Sequence, residues 1–594
     1  MRRPLLVVCL STLSFMPNAR AQFGGGNPMP GAGAGHPPTE EKEAAAESAP
    51  EVDPAHKATE PLAEWPGQQE KKVQIFHING YLRSRAFYFH DLNLGIPPPT
   101  DDRAPRSSFP LPYSEYGASS SCTAREGKPC NGQDIGGADL RLRLEPTFEP
   151  AEWVRVHAQI DLLDNLVLGS SPDGDRTNSL SGPNGASALF TRGQGGDLAA
   201  IGSAVRVKRA WGEIHTPIGD FKFGRMPAQW GMGILFNDGS CADCDYGTSV
   251  DRVMFEAKLW NHFIALMWDF AATGPTTRLY TPGANGPAWS ADGLDDVSQW
   301  GIAIGRRDSA ESIRERVARG EFVINYGAHV LYRRQSWDQS AVAARSALDS
   351  SDPATLAAAL TPRDAWAIIP DLWLRLAYRN VYLEAEASLI GGRVNQNGDL
   401  LAAANESGGG RGYGILQFGG VIRAGARLLG DALHVGLEVG YASGDAAEDP
   451  NARLHAGAAQ RTYRDGDTIG RFQFDPDYHV DLILFRRILG AVSNAVYFKP
   501  TVSYDILRNL TVRADAIYSL AANAVGYPGN DPNLGLELDA SLTWRDLAHG
   551  LDLSLSYGVL FPFAGLSLPE SIYPGHGHDA ETAQAVQLRG LIRF

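Results

Sequence analysis

No stretch of the chain approaches the roughly 18 uninterrupted apolar residues that a membrane-crossing helix needs, so helical spans are excluded. An excess of positive charge is also missing. Lys and Arg number 53 against 68 Asp and Glu, giving a formal charge of −15, and that balance argues against nucleic acid as a partner. Neither G-x-S-x-G, H-E-x-x-H nor a Walker-type phosphate loop occurs. The Gly-rich stretch 408–414 lacks the spacing and the βαβ context of a dinucleotide site. The chain is therefore not expected to be an enzyme, and no cofactor or metal is expected. Cysteine is scarce, with five in 594 residues. Turn formers are not: Gly 65 and Pro 37 accompany a hydrophobic content of 43%, a profile short of both collagen and wholesale disorder.

The N-terminus reads as an export signal. Arg2 and Arg3 precede an apolar run from Leu5 to Phe15, and Ala19-Arg20-Ala21 supplies a cleavage site. Residues 1–21 are assigned to this signal peptide. Residues 22–72 form a Pro/Gly/Ala/Glu-rich leader with too little apolar content to offset ordering entropy. After export, two close cysteine pairs remain, Cys122 with Cys130 and Cys241 with Cys244. In an oxidising compartment these predict two local disulfides. The Cys241-Ala-Asp-Cys244 spacing also admits redox chemistry or half a zinc site, without the helix-opening context of a thioredoxin motif.

From residue 73 to 594 the pattern changes to alternation with period two. Leu140, Leu142 and Leu144 share one face against Arg141, Arg143 and Glu145. Val154, Val156, Ala158, Ile160 and Leu162 oppose Arg155, His157, Gln159 and Asp161, and similar runs cover 432–443 and 534–545. Helical spacing fits none of them. Most runs are longer than the ~5–6 residues of a globular strand. The connections alternate between very short and long, and the polar face carries charges in mid-strand; both weigh against a soluble sandwich or propeller. Strands of roughly 9–11 residues, apolar outside and polar inside, are what a tilted transmembrane barrel needs.

Eighteen such segments run from 73–90 to 583–594, an even number that returns both ends to one side. Short connections such as 149–151, 217–219, 379–380 and 429–431 fall on that side, and long ones such as 91–137, 165–203, 335–365 and 444–494 on the other. The fold class is thus all-β, an antiparallel transmembrane barrel of about 18 strands. The apolar run 480–489 breaks the parity and belongs inside the 444–494 connection. It either folds into the lumen, with Arg486 and Arg487 at a constriction, or packs on the rim.

The final strand, AVQLRGLIRF, ends on Phe594 and resembles the C-terminal signature read by the barrel assembly machinery of Gram-negative outer membranes. Gly590 departs from the apolar residue usual at its position. The segment 209–233, with its Gly-Arg and Trp-Gly pairs, and GYASGD (440–445) resemble elements of porins and alginate-export-type barrels. The chain as a whole resembles uncharacterised predicted outer-membrane proteins of myxobacteria. These resemblances imply an integral outer-membrane location, contact with outer-membrane lipids, and passive diffusion of small hydrophilic solutes, anionic or sugar-like, through the barrel.

A channel acts through the charges lining its lumen. The alternation points Arg141, Arg143, Arg155, Arg209, Arg375, Arg423, Arg427, Arg513, Glu384, Glu386 and Asp515 inward, with Arg486 and Arg487 as further candidates. Opposite-sign pairing between neighbouring strands is the plainer account of most of these charges. Aromatics near strand ends, among them Tyr88, Trp153, Trp230, Trp260, Trp300 and Phe561, predict interfacial girdles. Trp211 and Trp373 lie on the arginine face, where stacking against sugars is the alternative to a girdle role. Two other functions fit a barrel: a membrane-mounted hydrolase of lipids or peptides, and a surface adhesin acting through its long loops.

Overall fold

The computed structural model describes residues 75–96, 134–168, 205–272, 297–339, 360–395, 412–445, 466–546, 548–573, 575 and 577–594. The signal peptide, the leader, and Cys122 and Cys130 lie outside the described residues. Eighteen long strands form the wall. They are β1 (Phe76–His90), β2 (Asp134–Ala151), β3 (Val154–Val167), β4 (Arg206–Thr216), β5 (Gly219–Pro227), β6 (Ser249–Leu259), β7 (His262–Ala272), β8 (Val297–Arg306) and β9 (Phe322–Gln339). β10 (Leu360–Tyr378), β11 (Val381–Val394), β12 (Tyr413–Leu428), β13 (Leu433–Ala442), β14 (Ala495–Leu507), β15 (Leu510–Ala521), β16 (Asn533–Asp546), β17 (Leu551–Pro562) and β18 (Ala583–Arg593) follow.

Each long strand pairs antiparallel with its neighbour in sequence, and β1 also pairs with β18, from Tyr81 opposite Arg593 to His90 opposite Gln584. The sheet is closed, so no long strand exposes a free edge. A two-residue strand, Thr468–Ile469, lies parallel beside the start of β12.

The short connections are tight turns. At Trp260-Asn261 both residues have positive φ, +48° and +64°, the backbone of a type I′ hairpin whose twist matches the flanking strands. One connection on this side holds a helix that the alternation does not predict, α1 (Ala310–Ala318). Its local signals are nonetheless present. Ser309 caps it by accepting from Ser312 N, Glu311 sits in the first turn and Arg316 in the last, each favourable to the helix dipole.

The period of two sorts the wall. Outward positions carry exposed apolar side chains such as Leu266, Ile302, Ile368, Leu372, Ile422, Leu542 and Leu588. Exposed aromatics gather at both ends of this belt. Tyr88, Trp268, Trp300, Trp366, Phe418, Tyr441, Tyr518 and Phe561 stand toward the long-loop end. Phe76, Phe148, Trp153, Phe221, Trp260, Phe322 and Tyr378 stand toward the short-turn end. Two girdles around an apolar belt are the outer surface of a membrane-spanning barrel. Among the described residues no helix is long and apolar enough to cross a membrane; the strands do so. Trp230 corrects the girdle expectation: it sits inside the barrel, its Nε1 donating to Asp371 at 2.8 Å.

Candidate functional site, the occluded lumen

Along β1 the inward face reads Tyr81, Arg83, Arg85, Phe87 and Phe89. The register sets Arg83 opposite Arg141 on β2 and Arg85 opposite Arg589 on β18. Like charges directly opposite one another are unfavourable, and neighbouring strands supply part of the offset: Asp139 on β2 pairs with Arg85 at 2.9 Å and Asp164 on β3 with Arg141 at 2.8 Å. The rest comes from the connection between β5 and β6, residues 228–248, which folds into the barrel. Arg85 Nη1 donates to Asp243 at 3.1 Å and to Asp245 at 3.0 Å, and Arg83 Nη2 to Asp245 at 2.8 Å. Arg83 and Arg141 both donate to the Cys244 carbonyl at 2.9 Å, and Arg141 also reaches the Asp245 carbonyl at 2.7 Å. The Cys241–Cys244 disulfide closes the tip of this loop.

A second connection, between β13 and β14, enters from the opposite wall. It brings residues 471–494 against the first loop. Asp477 accepts from Asp245 N at 2.8 Å, Tyr246 N at 3.0 Å and Gly247 N at 2.6 Å, and Asp475 accepts from Thr248 Oγ1 at 2.6 Å. Arg486 Nη1 donates to Asp243 at 2.6 Å. The 480–489 segment therefore folds into the lumen, with a single π-helical turn at Leu484–Ile488. Phe472, Phe474, Ile483, Leu484, Phe485 and Ile488 are buried in one apolar cluster with the wall residues Phe89, Val421, Tyr497, Ile517 and Leu560. The alternative of a rim-packed amphipathic loop is corrected by this burial.

Burial opposes ionisation of Asp243 and Asp245, but the adjacent guanidinium groups outweigh it. Arg486 and Arg85 hold Asp243 below the usual carboxylate range, and Arg85 and Arg83 do the same for Asp245. Burial, with Arg486 and Arg85 alongside, brings Arg487 down to about 10, and burial beside Arg486 brings His479 down to about 3. At neutral pH Arg487 stays charged and His479 stays neutral.

Inward carboxylates anchor these loops by their backbone. Glu537 on β16 accepts from Leu482 N at 2.9 Å, Ile483 N at 2.8 Å and Leu484 N at 2.9 Å. Glu386 on β11 accepts from Gly233 N at 3.0 Å and from Met232 N. Within the second loop, Asp481 accepts from Phe485 N at 2.8 Å and Arg486 N at 3.0 Å. Each carboxyl group satisfies successive backbone N–H groups that burial would otherwise leave without a partner.

The inward loops and neighbouring strands cover several of the inward charges, which therefore meet protein rather than open water. Arg141, Arg143, Arg209 and Glu386 are buried at 1%, 4%, 3% and 2% exposure. Arg143 lies against Asp161 across the strand pair at 2.7 Å. Arg209 donates to Ser249 Oγ and to the Asp238 carbonyl at the root of the first loop. Nearer the short turns the charges are more accessible. Arg155 pairs with Glu149 at 2.8 Å, Arg423 with Glu438 at 2.6 Å, and Arg513 with Asp515 at 2.8 Å. Glu384 accepts from Trp373 Nε1 at 3.0 Å. Among the described residues Arg375, Arg427 and Arg487 have no carboxylate within an ion-pair distance; Arg487 lies over the Phe89 ring at 5.2 Å. Trp211 stacks on His157 at 4.7 Å, so one of its faces is already covered.

Sequence reasoning missed Arg83 and Arg85, although the alternation Tyr81-Arg83-Arg85 carries the signal. It also missed Asp243, Asp245, Asp475 and Asp477. Their only trace is the repeated D-x-D spacing in two loops far apart in the chain. Phe594, at the seam, accepts from Gly80 N at 2.9 Å and donates back to Gly80 O at 3.1 Å.

No protein-family model matches the chain, and no curated protein matches it in sequence. Solved structures similar to it include OccK11 (OpdR) of Pseudomonas aeruginosa, at 10% identity over 87% of this chain and 96% of that one, with a TM-score of 0.40. A BenF-like porin of Pseudomonas fluorescens is 9% identical over 87% and 99%, with a TM-score of 0.39. The outer membrane channel DcaP of Acinetobacter baumannii is 13% identical over 87% and 97%, with a TM-score of 0.32.

Proposed function

We propose that the protein is an integral outer-membrane channel for the passive diffusion of small hydrophilic solutes, and not an enzyme. One observation carries the reading. Two connections enter a closed, polar-lined barrel from opposite walls and join at mid-height through Asp477, Asp243 and Arg486, narrowing the lumen rather than extending outward from it. A lumen narrowed by charged loops passes solutes according to size and charge. The apolar belt and its two girdles suit outer-membrane lipid, and Phe594, at the closing seam, suits recognition by the barrel assembly machinery. Because Arg375, Arg427 and Arg487 lack ion-pair partners while the accessible acids are largely paired, the preferred solutes are anionic.

Insertion of the purified protein into planar bilayers tests this directly. Discrete conductance steps are expected, with a reversal potential in a salt gradient that favours anions and moves toward neutrality in Arg487→Ala. Absence of any conductance across a wide voltage range would remove the channel reading. A cation-favouring reversal potential would remove only the solute preference.

A further inference from the structure

The Cys241–Cys244 pair has a third soft-ligand neighbour that its own loop does not supply. His479, from the second inward loop, places a ring nitrogen so that it and both Sγ atoms all lie within 4.8 Å of one another. Two thiolates and an imidazole are the donor set of soft divalent cations. A tetrahedral Zn²⁺ site needs S–metal distances near ~2.3 Å and N–metal near ~2.0 Å, so its sulfurs stand about 3.8 Å apart. The two sulfurs are joined in the disulfide and reach that separation only once the S–S bond is broken.

We propose that Cys241, Cys244 and His479 form a reduction-dependent binding site for one soft divalent cation of the Zn²⁺ class, joining the two inward loops. The backbone around the cysteines is held independently of the disulfide. Arg83 and Arg141 grip the Cys244 carbonyl, and Asp477 takes the N–H groups of Asp245, Tyr246 and Gly247. Reduction therefore leaves two thiols in place rather than freeing the loop.

The exchange balances. An external dithiol delivers two electrons and two protons to the disulfide and leaves as its own disulfide. The S–S bond breaks and two S–H bonds form. Cation uptake then forms two S–metal bonds and one N–metal bond, and the two thiol protons pass to water.

The proposal stands without the channel reading, because its readout is stoichiometric binding and not conductance. Full-length protein carrying Cys122→Ser and Cys130→Ser is reduced with a phosphine in detergent, freed of reductant and titrated with Co²⁺. One Co²⁺ per chain with the absorption of a tetrahedral thiolate complex is expected, only after reduction. His479→Ala should weaken binding at least roughly tenfold, by analogy with loss of a metal-site partner, and Cys241→Ser should abolish it. Heat-modifiable gel migration shows in each variant that the barrel is folded. Absence of Co²⁺ uptake by reduced, folded protein overturns the proposal, as does equal affinity in His479→Ala.

Discussion

Arg83 and Arg141 face each other across β1 and β2. Their repulsion is relieved from two directions, by Asp164 on β3, which takes Arg141 at 2.8 Å, and by Asp245 of the inward loop, which takes Arg83 at 2.8 Å. Asp243 and Asp245 have folded values below the ordinary carboxylate value, so their contribution is present above that value and is lost only as pH falls through the depressed one. The loop should therefore stay seated at pH 5, with single-channel conductance equal to that at pH 7. Asp481 behaves oppositely. Burial pushes it up to about 6 despite two backbone N–H donors, so the folded segment holds a proton that an opened one releases. Its anchoring strengthens as pH falls from about 6 toward the ordinary 3.8. The amides of Phe485 and Arg486, which donate to Asp481, should exchange more slowly at pH 5 than at pH 7 once intrinsic rates are removed, and Asp481→Asn should flatten the difference. Equal protection at both pH values in the parent protein would contradict this account. Glu537→Ala leaves the N–H groups of Ile483 and Leu484 unpartnered, at about 1–3 kcal/mol each for an unsatisfied group, whereas Leu482 N keeps Asp539 Oδ2 at 3.2 Å. Amide exchange at Ile483 and Leu484 should then accelerate by orders of magnitude while exchange in the wall strands is preserved.

At the scale of elements, the inward loops fit because the wall leaves them space. Gly419 on β12 lies under the Phe472 ring, where a Cβ would stand 2.2 Å from Cε1. Gly558 on β17 lies under Leu482, with a Cβ 3.2 Å from its side chain and 2.5 Å from Asp539 Oδ1. Gly419→Val should expel Phe472 and unseat the 471–494 segment while leaving the strand hydrogen bonds of β12 in place. The measurable outcome is higher conductance with unchanged heat-modifiable migration; unchanged conductance in a folded variant would show that the segment does not narrow the path. The strands themselves were legible from period-two alternation, with ends shifted by a few residues. β10, for example, begins at Leu360, before a bulge at Pro362/Ala365, where the pattern from Trp366 alone had set its start. The helix α1 was overlooked because nine residues of helical spacing between two long alternating runs look like any loop.

For the whole molecule, barrel closure and lumen occlusion are separable. The wall is held by a continuous backbone ladder that includes the β1–β18 seam, whereas the occlusion depends on side-chain contacts from two connections. Excision of residues 229–247 with a short Gly/Ser bridge should leave a heat-resistant barrel with larger conductance. Failure of that variant to assemble would mean that the loop is needed to neutralise the arginine strip during folding. Removing Phe594 takes two backbone hydrogen bonds from the seam and should lower the yield of inserted protein more than it changes the properties of the barrels that do insert.

Chain order and the period of two determined the barrel, its strand number, and the side on which the long connections lie, because a strand in lipid must satisfy every backbone group next door and alternate its faces. They also determined which side chains point inward. Whether those side chains meet water, a neighbouring strand or another loop was decided only in three dimensions. Arg141, Arg209 and Glu386 are inward by parity, yet each meets the first inward loop, at residues 103, 29 and 153 positions away. The sequence likewise offered Cys241 and Cys244 as half a ligand set, and only the tertiary structure brings His479 beside them. Parity is a local property of the backbone; loop insertion is set by long-range charge and shape complementarity, which no local spacing records.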